Sequence, residues 1–159
     1  MNAVEAGQLL TRDGQRLRIQ LLDSQRGHHG LAQWPTEVHA VNLRYRDTGG
    51  SVPLRVPTLP AAAAMKTVAW TDRQAARDLY DLAGLAKIGA LTVEAADLFR
   101  EATGLRVAPH MVARLPRLDW ETQLAHQTRL LPSAEQCLAA VRDAYALALN
   151  WPPQDEPLG

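Results

Sequence analysis

The first part of the chain alternates hydrophobic and polar positions with a period of two residues. Leu17, Ile19 and Leu21 occupy every second position, which predicts a strand with one buried face. Asp13-Gly14 comes just before this strand, and the dipeptide is typical of tight hairpin turns because both residues tolerate positive φ. Together with residues 8–11, this segment is predicted to form a hairpin.

Two more strands are predicted before residue 58. Residues 37–46 alternate in the same way, with a change of parity between Ala40 and Val41 that predicts a bulge. Residues 47–50 form a predicted turn, and residues 52–56 form a short strand. Pro53 in that strand indicates an edge or an end, because proline cannot donate a backbone hydrogen bond.

From Thr58 onward the hydrophobic pattern becomes helical. Thr58, Thr92 and Ser133 are predicted N-caps, while Gly89 and Gly104 are predicted stops. The predicted helices are 61–70, 72–88, 93–103, a short one between 109 and 116, 119–130 and 134–149.

Strands followed by helices predict an α+β fold, in which N-terminal antiparallel strands precede a C-terminal helical bundle. The strand-rich part is predicted to span residues 1–57 and the helical part residues 58–150. Residues 151–159 are a predicted irregular tail because they contain three prolines.

The amino-acid composition argues against some classes of function. Apolar residues make up 47% of the 159 residues, enough for a hydrophobic core, and 17 basic residues balance 17 acidic ones. This balance disfavours a general RNA-binding domain, which is usually basic. No run of about 20 apolar residues is present, so no membrane span is expected.

Cys137 is the single cysteine, so no internal disulfide is available and a cytoplasmic location is expected. Its apolar neighbours favour a buried, inert thiol over a nucleophile. His28 and His29 are adjacent in a loop without acidic residues at ligand spacing, which favours an exposed loop over a metal site.

The segment 65–89 carries the most informative polar pattern. On a helical wheel Arg77, Asp78 and Asp81 share one face, opposite an apolar face that includes Leu79 and Leu82. The spacing alone favours a solvated face with an Arg77–Asp81 ion pair, worth only ~0.3–0.5 kcal/mol.

A resemblance to a known family changes this interpretation. Lys66, Ala69, Arg73 and the run Arg-Asp-Leu-Tyr-Asp-Leu at 77–82 resemble the C-terminal signature of the AbiEii/AbiGii-type (MenT-like) nucleotidyltransferase toxins. Val-Pro-Thr-Leu at 56–59 also resembles the strand end and helix start that precede the lysine in that family. The specific similarity covers about 35 residues.

The resemblance implies that an NTP donates its nucleotide to an acceptor such as tRNA, with Mg²⁺ as cofactor and a cognate antitoxin as partner. Lys66 would contact the triphosphate and neutralise charge that develops in the transition state. Asp81 would act as a base or orient the lysine. Arg73, Arg77 and Asp78 would be supporting nucleotide-binding residues.

One part of the family pattern is not found. Such enzymes place a Gly-Ser or Gly-Gly turn before an acidic pair, Asp-x-Asp, that holds Mg²⁺. Gly49-Gly50-Ser51 is followed by no acid before Lys66, and Gln20 occupies the expected position of a third acid, near Asp23. Residues 119–121, Asp-Trp-Glu, alternate correctly but form a predicted helix start. The sequence therefore predicts an incomplete metal site and a match to the C-terminal part of the family.

Three explanations stay open: a shortened gene, a partner that supplies the other half of the site, and a degenerate relative. Two functional hypotheses follow. One is a nucleotidyltransferase toxin or its substrate-binding remainder. The other is a non-catalytic binding or antitoxin-like interaction module derived from the same fold.

Overall fold

The computed structural model of the chain describes residues 7–10, 16–19, 34–42, 51–127 and 131–152. The chain divides into two compact units, 1–33 and 34–159. Strands precede helices, which confirms the predicted α+β fold. Within the described ranges, no helix is long and apolar enough to cross a membrane.

The first unit contains an antiparallel strand pair. Strand β1, Gly7–Leu10, pairs with β2, Arg16–Ile19, so that Gly7 faces Ile19 and Leu10 faces Arg16. This register confirms the predicted pairing. The predicted Asp13-Gly14 turn lies outside the described residues.

The second unit begins with another antiparallel pair. Strand β3, Thr36–Asn42, pairs with β4, Ser51–Pro57, and each residue of β3 faces one residue of β4. This continuous register leaves no extra residue, so the predicted bulge between Ala40 and Val41 is wrong. The change of parity is tolerated because most side chains of β4 are exposed and neither face has to be entirely apolar. Pro53 lies within β4, which has one paired neighbour among the described strands.

Five α-helices and one 3-10 helix follow in the described part of the second unit. They are α1, Leu59–Arg73; α2, Ala76–Lys87; α3, Val93–Thr103; a 3-10 helix, Pro109–Val112; α4, Trp120–Leu124; and α5, Ala134–Leu149.

Three helix starts follow the predicted capping chemistry. The hydroxyls of Thr58 and Thr92 accept hydrogen bonds from backbone amides three residues later, at 3.3 and 3.2 Å. Ser133 and Gln136 form a reciprocal capping box, in which each side chain accepts from the other residue's backbone N–H. These bonds satisfy amides that lack a partner in the first helical turn. The predicted caps of α1, α3 and α5 are confirmed.

The predicted boundary between the first two helices is wrong. Helix α1 continues to Arg73, Gln74 adopts left-handed backbone angles (φ 47°, ψ 47°), and α2 begins only at Ala76. The new helix direction buries Ala76 and Leu79. Burial of apolar side chains thus outweighs the local pattern, which predicts that the second helix begins at residue 72.

Helix α4 is also shorter than predicted. It covers Trp120–Leu124, and Asp119 occupies the N-cap position without a side-chain hydrogen bond. Only Leu124 of this helix is buried, so tertiary packing fixes one turn rather than three. Residues 128–130 lie outside the described part of the chain.

The core lies where α1, α2, α3 and α5 pack together. Its largest fully buried side chains are Trp70, Tyr145, Phe99, Leu79, Leu82, Leu124, Val141 and Asp78. The Trp70 indole N–H donates to the backbone oxygen of Met111 at 3.0 Å, which allows this amphipathic ring to be buried.

A buried hydroxyl pair joins α1 to α5. Thr67 donates its hydroxyl hydrogen to the carbonyl of Ala63 at 2.8 Å, so it accepts the hydrogen of Tyr145 across 2.6 Å. Burial raises the pKa of Tyr145 to about 12. This contact fixes α1 one residue away from Lys66.

The raised pKa of Tyr145 predicts a late phenol titration. The neutral phenol stabilises the fold below an unfolded-state pKa of about 10, and this contribution is lost as pH rises towards about 12. Absorbance at 295 nm should therefore show a final phenolate component near pH 12 that Tyr145→Phe removes. The control Tyr80→Phe should retain it. A late component that survives Tyr145→Phe would assign it to another tyrosine.

Candidate functional site

Lys66 of α1 lies between two carboxylates of α2. Its Nζ is 2.6 Å from Asp81 Oδ2 and 3.5 Å from Asp78 Oδ1. The lysine side chain is 35% exposed, so the ammonium is held by protein groups and still reaches solvent. The break at Gln74 makes this possible, because it directs α2 against α1 and brings residues 12 and 15 positions apart into contact.

Asp78 has no exposed surface, in contrast to the solvated position that the helical wheel predicts. Arg73 donates two hydrogen bonds to this carboxylate, from Nε to Oδ2 at 2.7 Å and from a terminal nitrogen to Oδ1 at 2.9 Å. Such paired bonds to a carboxylate are strong and directional. The hydrogen bond to Asp78 is the main cause that raises the pKa of Arg73. The buried carboxylate is therefore compensated by two cations, Arg73 and Lys66.

Arg77 lies apart from this cluster. Its Nε donates to the backbone oxygen of Gln123 at 3.3 Å, and its side chain is exposed. Asp81 pairs with Lys66, so the predicted Arg77–Asp81 ion pair is wrong. The exposed carbonyl of α4 offers Arg77 a partner that helical spacing alone did not reveal.

A cavity of about 710 Å³ opens beside Lys66 and Asp81. Its walls are mostly apolar and come from the end of β4, from α1, α2 and α5, and from Pro132. The lining residues are Pro57, Ala62, Met65, Lys66, Tyr80, Asp81, Ala83, Gly84, Leu85, Lys87, Ile88, Pro132 and Cys137. Arg73, Arg77 and Asp78 do not line it. A volume of this size accommodates a small organic ligand.

Lys87 and Cys137 are among the lining residues that the sequence analysis does not assign to the site. Lys87 is exposed in the last turn of α2 and makes no ion pair with any residue that the structure describes. It follows Tyr80 by seven residues, a spacing that places both on one helical face and would have indicated their common surface. Cys137 is buried as predicted, and burial raises the pKa of its thiol.

The described acidic residues do not fit a magnesium site. No group of three or more His, Cys, Asp or Glu side chains could hold a metal ion in the described ranges. Asp78 and Asp81 each contact a cationic side chain, which competes with a metal ion for the carboxylate oxygens. Asp119 and Glu121 lie at the exposed start of α4.

The remaining sequence positions considered for a metal site are not described. Gln20, Asp23, His28, His29 and the Gly49-Gly50 turn all lie outside the described residues.

The chain matches a known protein family over most of its length. The model of the family "Nucleotidyl transferase AbiEii toxin, Type IV TA system" matches residues 5–147. The fold of the chain is α+β, and a lysine paired with carboxylates lies at its cavity. The chain belongs to the AbiEii family. Membership implies a toxin of a type IV toxin–antitoxin system and, with it, an antitoxin partner. No curated protein and no solved structure matches the chain.

Proposed function

We propose that this chain is a nucleotidyltransferase toxin that binds the triphosphate of an NTP at Lys66. The observation that carries this proposal is the position of the Lys66 ammonium, held by Asp81 at the edge of a cavity of about 710 Å³. Lys87 lines the same cavity, so its walls carry two cations and one anion. This balance favours an anionic ligand.

The cavity offers separate surfaces for the two parts of a nucleotide. Lys66 and Lys87 attract phosphate oxygens, while Met65, Tyr80 and Ile88 offer apolar contact to a base and ribose. Aromatic and aliphatic walls with a few charged groups are typical of cofactor and substrate sites. The nucleoside would therefore lie against the apolar walls, with its phosphates directed to the lysines.

The transfer step follows from the chemistry of the family. The oxygen of an acceptor hydroxyl attacks the α-phosphorus and forms a new P–O bond, while the bond to the bridging oxygen breaks and pyrophosphate leaves with that electron pair. The hydroxyl proton passes to a carboxylate, for which Asp81 is the proposed base. Its contact with Lys66 supports the alternative role of orienting the ammonium. The proposed acceptor is tRNA.

A bound Mg²⁺ would align the triphosphate with the attacking hydroxyl. The described carboxylates do not fit this ion. The proposal is that this chain alone is incomplete for transfer and that a partner supplies the metal-binding acids. Arg77, exposed beside α4, is a proposed supporting residue outside the cavity.

The purified chain should therefore bind an NTP without transferring its nucleotide. Titration calorimetry should detect binding of NTP or pyrophosphate, because the lysines do not depend on the missing acids. Incubation with Mg²⁺, radiolabelled NTPs and total tRNA should give no labelled RNA.

The binding measurement and the transfer assay each have an outcome that would contradict the proposal. Absence of binding would contradict the nucleotidyltransferase proposal and favour a non-catalytic interaction module. Robust labelling by the chain alone would contradict its incompleteness and direct attention to Asp23, Asp119 and Glu121 as ligands.

A further inference from the structure

Asp78 is fully buried beside a site where ligand binding is proposed. Among the charged residues that the structure describes, Asp78 is the one without solvent exposure. Burying a carboxylate is costly unless opposite charges and hydrogen bonds compensate it. Arg73 and Lys66 provide that compensation here.

The geometry excludes direct contact between Asp78 and a nucleotide in the cavity. Asp78 does not line the cavity, and both of its oxygens already have partners. Oδ2 accepts from Arg73 Nε, while Oδ1 accepts from the terminal nitrogen of Arg73 and from Lys66 Nζ. A side chain without exposed surface influences a ligand only through its neighbours.

We propose that Asp78 is a positioning residue that sets the location of the Lys66 ammonium at the cavity. This inference rests on the proposed function in treating Lys66 as the phosphate contact. Asp78 attracts the ammonium from the core at 3.5 Å, while the half-exposed Asp81 holds it from the solvent side at 2.6 Å. Two carboxylates restrict a flexible lysine side chain better than one.

Arg73 has a distinct role in this arrangement. Its two bonds fix the orientation of the Asp78 carboxylate and neutralise most of its charge. The left-handed residue Gln74 ends α1 directly after Arg73 and allows the next helix to present Asp78 to it. Without Arg73, the buried carboxylate would have Lys66 as its remaining partner and would draw it inward, away from Asp81 and the cavity.

Positioning and bulk electrostatics predict opposite effects for Asp78→Asn. Removal of a negative charge near a phosphate site should strengthen anion binding if only the net potential matters. If Asp78 positions Lys66, the same substitution should weaken binding, because the ammonium loses its inner attachment. Asparagine has nearly the same shape, so the comparison tests charge rather than volume.

The experiment compares Asp78→Asn, Arg73→Met and the control Arg100→Met in the full chain. Arg100, like Arg73, lies in the last turn of its helix and pairs with an aspartate, but both partners are about half exposed. Calorimetric titration with pyrophosphate should show about tenfold weaker binding for Asp78→Asn and Arg73→Met, the scale expected when one charge-assisted contact is lost. Arg100→Met should bind like the unsubstituted chain.

A second readout does not depend on any ligand. Proton–nitrogen spectra of the lysine ammonium groups should show a Lys66 signal with slow hydrogen exchange in the unsubstituted chain. This signal should broaden or disappear in Asp78→Asn, and it should shift in Arg73→Met, where Asp78 draws the ammonium inward. A general structural role would not affect the Lys66 ammonium selectively in a folded variant.

The outcomes separate this inference from the proposed function. If the unsubstituted chain binds no pyrophosphate, the proposed function fails, while the ammonium spectra still decide whether Asp78 positions Lys66. If it binds and Asp78→Asn binds equally or more tightly, the positioning role is wrong. If Asp78→Asn does not fold, the Lys66 ammonium signal of Arg73→Met decides the question, because removal of a cation weakens anion binding under either hypothesis. The Arg73 side chain is 64% exposed, so its loss opens no core cavity.

Discussion

Leu82→Ala is expected to lower the free energy of unfolding by ~2–5 kcal/mol, the range typical of buried leucines. Leu82 has no exposed surface and lies one turn after Asp78 on the same side of α2. The substitution removes buried methyl groups and leaves a cavity that close-packed neighbours fill only in part. Urea denaturation followed by far-ultraviolet circular dichroism measures this change.

Leu147→Ala is the matched control. Leu147 is also helical, in the last turn of α5, but 83% of its surface is exposed. The same substitution there should change stability by less than about 0.5 kcal/mol, since surface positions tolerate such changes. Equal losses at the two positions would show that the α2 face is not the packed core that the structure places there.

The helix ends that depend on local chemistry could be predicted from the sequence. Thr58, Thr92 and Ser133 cap their helices because a side-chain oxygen reaches an amide only a few residues away. Gly104 ends α3 with positive φ, which costs glycine little. These signals lie within a few residues, so no knowledge of the tertiary structure is needed to interpret them.

The position of the break between α1 and α2 could not be predicted in the same way. Gln74 and Ala75 include neither glycine nor proline, and Ala75 forms no side-chain cap. The break exists because it lets α2 bury its apolar face and lets Arg73 meet Asp78. Both reasons involve contacts outside the local sequence, which a pattern read along the chain does not contain.

Part of the candidate site could likewise be predicted from the sequence, and part of it could not. Lys66 and Asp81 were identified by family resemblance, and the structure places them 2.6 Å apart. Asp78 was assigned to the solvated face because it is charged, although it precedes the buried Leu82 by four residues, a spacing typical of a shared face. The cavity depends on how α2 packs with α1 and α5, so the sequence alone does not indicate it, although the spacing of Tyr80 and Lys87 places both on one helical face.

Lys66→Met should weaken pyrophosphate and NTP binding by about 10- to 100-fold, since a charge-assisted contact contributes about 1.5–3 kcal/mol. Methionine retains most of the apolar stem and removes only the ammonium, so packing changes little. The fold should tolerate the loss of the ammonium, because Arg73 still donates two hydrogen bonds to Asp78. The lost Lys66–Asp81 ion pair is partly exposed and contributes at most about 1 kcal/mol to stability. Calorimetry and thermal melts of the same preparation provide both measurements.

Lys87→Met is the internal comparison for Lys66→Met, because Lys66 and Lys87 are the two lysines of the chain and both line the cavity. Removing either lysine changes the net charge equally, so a purely electrostatic cavity would lose affinity equally in both variants. Lys66 is held by two carboxylates and contacts a ligand with little loss of side-chain entropy, whereas the exposed Lys87 must be immobilised on binding. The loss at Lys66 should therefore be several times larger. Unchanged affinity in Lys66→Met, with an unchanged melting temperature, would leave Lys66 only a structural role in this fold.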